Sequence, residues 1–328
     1  MNADPDEVVL GPSTTQLFRN ISLTMKFELE DEIIISKIDH ETNIKPWVDM
    51  AERNGMILKW WVPENESLRL DVDSLTPLLS SRTKFVTCTH ISNILGTVHD
   101  IPSIAKAVHS IPGAMFCVDG VSYAPHRQID VKELDVDFYG FSWYKVYGPH
   151  ISTLYARRAA QENLNPLSHF FIPKDTLEGK IGLAGANYEL AQSIPEIVSY
   201  LGGSSPKPVF EAIAVHEGKL QAALLAYLTS RGDISIYGEK NADPTIRVPT
   251  ISFTVKGMDS REVVEQADQK SNFGFRWGHF YSKRLCSEIL GLGDGGVVRI
   301  SMVHYNTEEE VRSLIETLDG ILPRNTLK

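Results

Sequence analysis

Cysteine is scarce in this sequence, since Cys88, Cys117 and Cys286 are the only three among 328 residues. Three scattered cysteines form neither a disulfide framework nor a metal-ligand pattern, so we expect free thiols and no metal site. Cys88 and Cys117 lie inside apolar runs, where free cysteines are usually buried. The lack of a disulfide framework favours a reducing compartment, and we therefore expect a cytoplasmic protein.

Long apolar stretches and clusters of positive charge are missing as well. No apolar run approaches the roughly 20 residues that a membrane-spanning helix needs. The acidic beginning, MNADPDEVVL, lacks the profile of a signal peptide. The formal net charge is −10, and binding to nucleic-acid phosphates requires clustered Lys and Arg. We therefore expect a protein that binds neither a membrane nor nucleic acid.

What the sequence does have is an alternation of apolar, strand-like runs with amphipathic helical stretches. The clearest apolar runs lie at residues 31–35, 84–89, 114–119 and 138–142. Buried runs separated by helices predict an α/β fold with a mostly parallel sheet that is covered on both faces. A Gly/Ser/Pro cluster at residues 201–206 marks the expected boundary between a large domain, residues 1–204, and a smaller C-terminal α+β domain, residues 205–328.

Three features are candidates for chemistry, and each has an ordinary structural interpretation when it stands alone. Asp119 ends a buried run, where ligands bind in open α/β sheets, but a turn-forming aspartate would occupy the same place. Lys145 follows another buried run; it is either a functional buried amine or a lysine that snorkels to the surface. The segment Gly11-Pro12-Ser13-Thr14-Thr15 leads into a helix, so it either binds phosphate or only caps that helix.

Together the three features fit one cofactor, pyridoxal phosphate (PLP). This cofactor requires a lysine for its Schiff base, an acid against its pyridine nitrogen and a cup for its phosphate. An NAD-dependent oxidoreductase would instead need a Gly-x-Gly-x-x-Gly turn after the first strand, and the Gly11 segment does not provide one. The sequence therefore favours a PLP enzyme.

Several stretches, in order along nearly the whole chain, resemble the class V aminotransferase family. They are Ser13-Thr14-Thr15, Asp39-His40-Glu41-Thr42-Asn43, Thr89-His90-Ile91-Ser92-Asn93-Ile94-Leu95-Gly96, Val118-Asp119-Gly120, residues 135–149, Val298-Arg299-Ile300-Ser301 and Tyr305-Asn306-Thr307. Within the family, the chain is similar to the cysteine desulfurase-like branch, which also contains isopenicillin-epimerase-like proteins. The resemblance implies the PLP-dependent transferase fold of type I, PLP as the cofactor and a homodimer.

The resemblance also implies roles for the matching residues. Lys145 would carry the cofactor as an aldimine and move protons, Asp119 would pair with the pyridine nitrogen, and His40 would stack on the ring. Asn93 would lie beside the cofactor's phenolic oxygen and the substrate, and Arg299 would bind the substrate carboxylate with its planar guanidinium. Side-chain hydroxyls would hold the phosphate, and they belong to Ser13, Thr14, Thr15 and Ser142. Tyr144 stands where the family has a histidine before the lysine, and we expect its hydroxyl to reach the phosphate as well.

The chain departs from the family where the reaction is decided. The family's Arg-x-Gly-His-His-Cys stretch is Arg276-Trp277-Gly278-His279-Phe280-Tyr281 here, so a tyrosine replaces the sulfur-accepting cysteine. A phenol cannot form a persulfide, and Cys286 lies five positions further on, so we expect no desulfurase activity by that route. Ser122 replaces the family's glutamine, and Gly185-Ala186 replaces a Gly-Thr that reaches across the dimer. The family's N-terminal arm is also expected to be missing.

We therefore expect a PLP enzyme that acts on an α-amino acid through an external aldimine. A lyase or elimination reaction, or related chemistry at Cα–Cβ or Cγ in a specialised-metabolite pathway, is the first hypothesis. Transamination, epimerisation and C–C bond formation stay open, because they share that intermediate and a fold does not choose among them. A hypothesis of another class is a truncated, non-catalytic PLP-fold protein; the presence of Lys145, Asp119, His40 and Arg299 argues against it.

Overall fold

The computed structural model describes residues 1–323, and the chain divides into two units, each with its own sheet and core. None of the helices within residues 1–323 is both long and apolar enough to cross a membrane. The first unit comprises Met1–Pro63, Leu70–His90 and His99–Phe210; the second comprises Glu64–Arg69, Ile91–Val98 and the chain from Glu211 onward.

The first unit is built on a seven-stranded sheet. Its strands are β1 (Val8–Gly11), β2 (Glu32–Ser36), β3 (Ile57–Trp61), β4 (Thr83–Thr89), β5 (Met115–Asp119), β6 (Phe138–Ser142) and β7 (Ser152–Ala156). Their order across the sheet is β1-β7-β6-β5-β4-β2-β3. Only β7 runs antiparallel to its neighbours, so the other six strands point the same way. The expected mostly parallel α/β sheet is confirmed.

Helices cover both faces of this sheet, which is why its central strands are apolar throughout. Every residue of β2, β5, β6 and β7 is buried, as expected for a sheet with two covered faces. The helices are α1 (Thr14–Thr24), α2 (Lys45–Asn54), α3 (Val72–Leu75), α4 (Ile101–His109), α5 (Arg158–Gln161), α6 (Leu177–Ile181), α7 (Tyr188–Ala191) and α8 (Ile194–Tyr200).

The packing of α1 and α2 on the sheet holds the loops that follow the strands. Ser13 caps α1, because its Oγ accepts a hydrogen bond from the Gln16 backbone N–H at 3.1 Å. The Trp47 ring of α2 is fully buried, and its centroid lies 5.6 Å from that of Phe18 and 4.8 Å from that of Phe85. These aromatic contacts join both helices to β4, so the strand ends are presented from a rigid base.

The second unit contains a four-stranded antiparallel sheet with the order β10-β11-β9-β8. Helix α9 (Lys207–Thr229) starts just before this unit and continues into it. The other elements are β8 (Ile234–Tyr237), β9 (Thr250–Val255), α10 (Ser260–Lys270), β10 (Arg276–Gly278), a π-helical turn at Leu285–Ile289, β11 (Val297–Ser301) and α11 (Glu308–Ile321).

Along the central strands of the second unit, side chains alternate between the buried cluster and the opposite face of the sheet, and this decides which of them are available for function. Val298 and Ile300 of β11 belong to the buried cluster formed with α9, α10 and α11. Because successive side chains of a strand point to opposite faces, Arg299 between them points away from that cluster. Its cross-strand partners are Arg276 on β10 and Ser252 on β9.

Candidate active site

Polar side chains gather where the parallel strands of the first unit end. Asp39 and His40 follow β2, His90 follows β4, Asp119 is the last residue of β5, and Lys145 lies three residues beyond β6. Because these strands run in the same direction, their carboxyl ends share one edge of the sheet, which is where open α/β sheets bind ligands. We call this edge the carboxyl edge.

Asp119 is a buried carboxylate at the carboxyl edge. Its side chain is 4% exposed, and Oδ1 accepts the Val121 backbone N–H at 2.9 Å. Burial raises the pKa of Asp119 to about 6, while the Val121 hydrogen bond and the positive charge of Lys145 oppose that rise. Asp119 is therefore ionised near neutral pH although it is shielded from water, and it is electrostatically coupled to the lysine.

The backbone around Lys145 is held on several sides. Lys145 ends a 3₁₀ turn, Trp143–Lys145, directly after β6, and its side chain is partly buried. The Trp143 indole N–H donates to Thr153 Oγ1 at 2.7 Å, and the Gly148 N–H donates to the Trp143 carbonyl at 2.9 Å. Beyond the turn, the Tyr147 hydroxyl donates to the Pro125 carbonyl at 2.9 Å. These hydrogen bonds fix the turn that carries Lys145, whose positive charge acts on Asp119.

A row of hydroxyl groups connects α1, β6 and β7. The Oγ atoms of Thr14 and Ser142 are 2.8 Å apart, and those of Ser142 and Ser152 are 2.7 Å apart. Thr15 Oγ1 is 2.8 Å from Thr42 Oγ1. The Tyr144 side chain hydrogen-bonds to Ser142 and interacts with the Asp119 charge; burial raises the pKa of this phenol. With the N–H groups of the first turn of α1, these hydroxyls provide donors for a phosphate.

His90 is a residue of the carboxyl edge to which the sequence analysis assigns no role. Its buried ring stacks on Tyr123, with centroids 3.5 Å apart and planes 8° apart, and its Nδ1 is 2.9 Å from the Tyr139 hydroxyl. Burial, and secondarily the charge of His99, lower the pKa of His90 well below its usual value, and burial raises that of Tyr139 far above its own. Tyr139 therefore keeps its proton and the His90 ring stays neutral, so the hydrogen bond between them joins two uncharged groups.

His40 has a local structural task. Its Nδ1 accepts the Thr42 backbone N–H at 3.0 Å, and the side chain caps the 3₁₀ turn Glu41–Asn43. The ring is partly buried and lies just beyond the end of β2. Its stacking role on the cofactor stays a prediction. A histidine placed directly after a buried strand is the signal that also points to His90.

Asp39 is a second buried carboxyl group at the carboxyl edge, with 1% of its surface exposed. Its Oδ2 accepts the Asn43 amide at 2.7 Å, and the Asn43 Oδ1 in turn accepts the Trp47 indole N–H and the Thr87 hydroxyl, both at 2.8 Å. Burial, and secondarily the negative charge of Asp119, raise the pKa of Asp39 to about 8. Asp39 is thus a neutral acid at neutral pH.

We expect Asp39→Asn to change how stability depends on pH. The usual pKa of this group is 3.8 and its folded value is about 8, so between these limits the folded chain holds a proton that the unfolded chain has released. Wild-type stability then falls with rising pH, with a contribution from this group of about 1.4 kcal/mol per pH unit. Urea unfolding of cofactor-free protein is measured at pH 5, 6 and 7. The free energy of unfolding of wild type should fall by that amount per pH unit relative to the variant. The same pH dependence in both proteins would mean that folded Asp39 is ionised.

The predicted residues Asn93 and Arg299 belong to the second unit. Arg299 donates from Nη1 to the Asn93 carbonyl at 3.0 Å, and its guanidinium carbon lies 3.7 Å from the centroid of the Phe280 ring. Burial lowers the pKa of Arg299 to about 10, so it stays charged at neutral pH. The Asn93 amide donates to the Phe280 carbonyl at 3.0 Å, and its oxygen accepts the Ser282 hydroxyl at 2.9 Å.

The groups at the carboxyl edge fit PLP. The edge combines a partly buried lysine, an ionised buried carboxylate coupled to it, and hydroxyls at the first turn of an 11-residue helix. These are the three kinds of group that the cofactor needs for its aldehyde carbon, pyridine nitrogen and phosphate. Within residues 1–323, no group of three or more His, Cys, Asp or Glu side chains is placed to hold a metal ion.

Comparison with known proteins gives matches along nearly the whole chain. The profile of the family described as aminotransferase class-V matches residues 1–314. The aminotransferase-like protein FGM3 of Gibberella zeae is 54% identical over 323 residues, which are 98% of this chain and 80% of that protein. The nonribosomal peptide synthetase-like enzyme fsqF of Aspergillus fumigatus is 43% identical over an alignment of 328 positions, which covers 98% of this chain and 22% of that longer enzyme.

Among solved structures, the cysteine desulfurase CsdA from Escherichia coli superposes with a TM-score of 0.86. The match covers 97% of this chain and 79% of that structure, at 23% sequence identity. At so low an identity the likeness concerns the fold, and it confirms the expected architecture of the PLP-dependent transferases of fold type I.

Proposed function

Since the chain belongs to the class-V aminotransferase family and is therefore a PLP-dependent enzyme, we propose that it transforms an α-amino acid with Lys145 holding the cofactor. The observation that supports this proposal is the coupling of Lys145 to the buried Asp119 carboxylate at the carboxyl edge. When bound, PLP supplies an electron sink for the charge that bond cleavage leaves at the substrate α-carbon.

Lys145 and Asp119 divide the proton handling. The ionised Asp119 carboxylate would favour a protonated pyridine nitrogen on the bound cofactor, because a buried negative charge favours a nearby positive one. The Lys145 amine would hold the aldehyde carbon of the cofactor, and it would take and return a proton at the substrate α-carbon. The fixed turn Trp143–Lys145 supports this task, since proton transfer requires the amine within hydrogen-bond reach of that carbon.

The remaining residues of the first unit would bind and orient the cofactor. His40 is proposed to stack on its ring, and His90 is a second candidate because its ring is neutral and already has one face against Tyr123. Either contact would help to hold the cofactor ring in place. The phosphate is proposed to bind the hydroxyls of Ser13, Thr14, Thr15, Ser142 and Tyr144.

In the second unit, Arg299 is proposed to bind the substrate carboxylate. Its planar guanidinium matches a carboxylate with two parallel hydrogen bonds. The Asn93 amide nitrogen carries two hydrogens and donates one of them to the Phe280 carbonyl. The other supports the proposed role of Asn93 beside the cofactor and substrate.

Persulfide formation is not the proposed reaction. Burial raises the pKa of Cys88 and Cys117, which lie inside β4 and β5, well above the usual value, and raises that of Cys286 to about 11. These cysteines are therefore neutral thiols near pH 7, whereas sulfur attack requires a thiolate. Tyr281, at the position of the family's reactive cysteine, is 72% exposed and has no sulfur.

We propose instead a lyase or elimination reaction, or related chemistry at Cα–Cβ or Cγ, in a specialised-metabolite pathway. Similarity to the nonribosomal peptide synthetase-like enzyme fsqF and to the fungal protein FGM3 supports this placement. A cytoplasmic homodimer is proposed with it, since PLP enzymes of this fold usually form their sites at a two-fold interface.

The proposed function is tested by mixing PLP-loaded protein with each common α-amino acid while its absorbance spectrum and products are measured. We expect at least one amino acid to shift the cofactor band, and that amino acid to lose a substituent from its side chain. Formation of an oxo acid, of the opposite enantiomer or of a longer carbon chain would replace the lyase assignment. Conversion of cysteine to alanine with sulfur on the protein would contradict it.

A further inference from the structure

The loop that precedes the π-helical turn of the second unit has an unusual backbone. Phe280 and Tyr281 both adopt left-handed conformations, with φ of 47° and 60°, and Gly278 before them has φ of 120°. Two consecutive aromatic residues rarely adopt this conformation, because their side chains crowd the backbone. Such a loop persists only where surrounding contacts hold it, so its contacts indicate what it is built to position.

Asn93 supplies these contacts. Its amide nitrogen donates to the Phe280 carbonyl at 3.0 Å, and its side-chain oxygen accepts the hydroxyl of the fully buried Ser282 at 2.9 Å. The backbone carbonyl of the same Asn93 accepts Arg299 Nη1 at 3.0 Å. One residue thus fixes both the left-handed loop and the guanidinium.

Asn93 and Phe280 together fix the position of Arg299, and we call the surface that they form its seat. The Phe280 ring lies 3.7 Å from the guanidinium carbon, which is a close cation–π contact that covers one face of the cation. The Arg299 Nε is buried and has no hydrogen-bond partner within residues 1–323, and no described carboxylate forms an ion pair with this arginine. With one face covered and Nη1 already bonded, the guanidinium can turn only its remaining edge to a planar acceptor.

We infer that Phe280 is a positioning residue, which orients Arg299 through the stacked ring and thereby selects substrates that carry an α-carboxylate. This inference rests on the proposed function of Arg299. Phenylalanine cannot gain a proton, so the seat stays uncharged and never repels the guanidinium, whereas imidazole would do so when protonated.

The inference is tested with PLP-loaded wild type and Phe280→Leu, which removes the aromatic face but keeps an apolar side chain. The probes are L-alanine and ethylamine, which differ by the carboxylate, and binding is measured by calorimetry and by the cofactor spectrum. We expect the Kd for L-alanine to rise about 10-fold, as for a partly desolvated cation–π contact, while that for ethylamine stays within about twofold. Phe280→Tyr, which restores an aromatic face, should bind L-alanine as wild type does.

A double variant separates positioning from a general effect on folding. In Arg299→Leu, the added change Phe280→Leu should have no further effect on L-alanine binding, because the group that Phe280 orients is gone. Equal losses for L-alanine and ethylamine in Phe280→Leu, or an undiminished loss in the Arg299→Leu background, would overturn the positioning role. If Arg299→Leu itself leaves L-alanine binding unchanged, the proposed carboxylate site fails, and this inference fails with it.

Discussion

Replacing Lys145 with alanine is expected to lower kcat by about 10³-fold, in the range found for the loss of a positioned proton-transfer group. The variant loses the amine that holds the cofactor and the group that moves the proton at the α-carbon. Its backbone turn should survive, because Trp143, Gly148 and Tyr147 supply the hydrogen bonds that hold it. The measurement is steady-state turnover of whichever amino acid the wild type transforms.

A matched lysine control is Lys132→Ala. Lys132 is exposed, and its ion pair with Asp4 is long at 3.8 Å, so its removal should leave both stability and kcat nearly unchanged. A Lys145→Ala variant that keeps more than about a tenth of wild-type kcat would show that another group carries the general base role, which usually contributes 10²-fold or more.

The second large effect is expected for Asp119→Asn, which keeps the shape of the side chain but removes its charge. We expect kcat to fall by about 10²-fold or more, as when a preorganised charge-stabilising group is removed. The buried Asn costs less desolvation than the ionised Asp, so the variant should fold at least as well as wild type. The decrease in kcat should therefore come from the missing charge and not from loss of folded structure. Thermal unfolding of both proteins checks this.

The pH dependence of cofactor uptake provides a second readout for Asp119. Its pKa in the cofactor-free protein is about 6, so the carboxylate gains a proton as the pH falls through 6. Wild-type affinity for PLP should then decrease below pH 6. The affinity of Asp119→Asn for PLP should be low on both sides of pH 6 and should not change with pH there. Asp39→Asn is the contrast, because Asp39 is already neutral at neutral pH. Identical uptake profiles in wild type and Asp119→Asn would contradict the pairing with the ring nitrogen.

The sheet of the first unit was predictable because its strands are buried on both faces. Continuous apolar runs at residues 84–89, 114–119 and 138–142 correspond closely to β4, β5 and β6. Helices α5 to α8 were not predicted, since they are four to seven residues long and carry too few turns for a helical period to show. The β-strand β10 was not predicted either, since its three residues are too few to show an alternation of apolar and polar side chains.

The candidate site was predictable where a polar residue directly ends a buried run, as Asp119 and Lys145 do. The structure adds groups whose importance depends on packing between distant segments. Asp39 is neutral because the surrounding core buries it and the negative charge of Asp119 acts on it, although the hydrogen bond from Asn43 opposes this rise in pKa. Phe280 reaches Arg299 only through the loop that Asn93 fixes. Sequence spacing carries no information about such contacts, which join residues nearly 190 positions apart.

The most direct test of the central claim is to find which side chain holds the cofactor. PLP-loaded protein is reduced with borohydride, which makes the lysine–cofactor bond permanent, and is then digested and sequenced by mass spectrometry. We expect one modified peptide, with the cofactor mass on Lys145. Modification of a different lysine, with Lys145 unmodified, would contradict the assignment of the carboxyl edge as the active site.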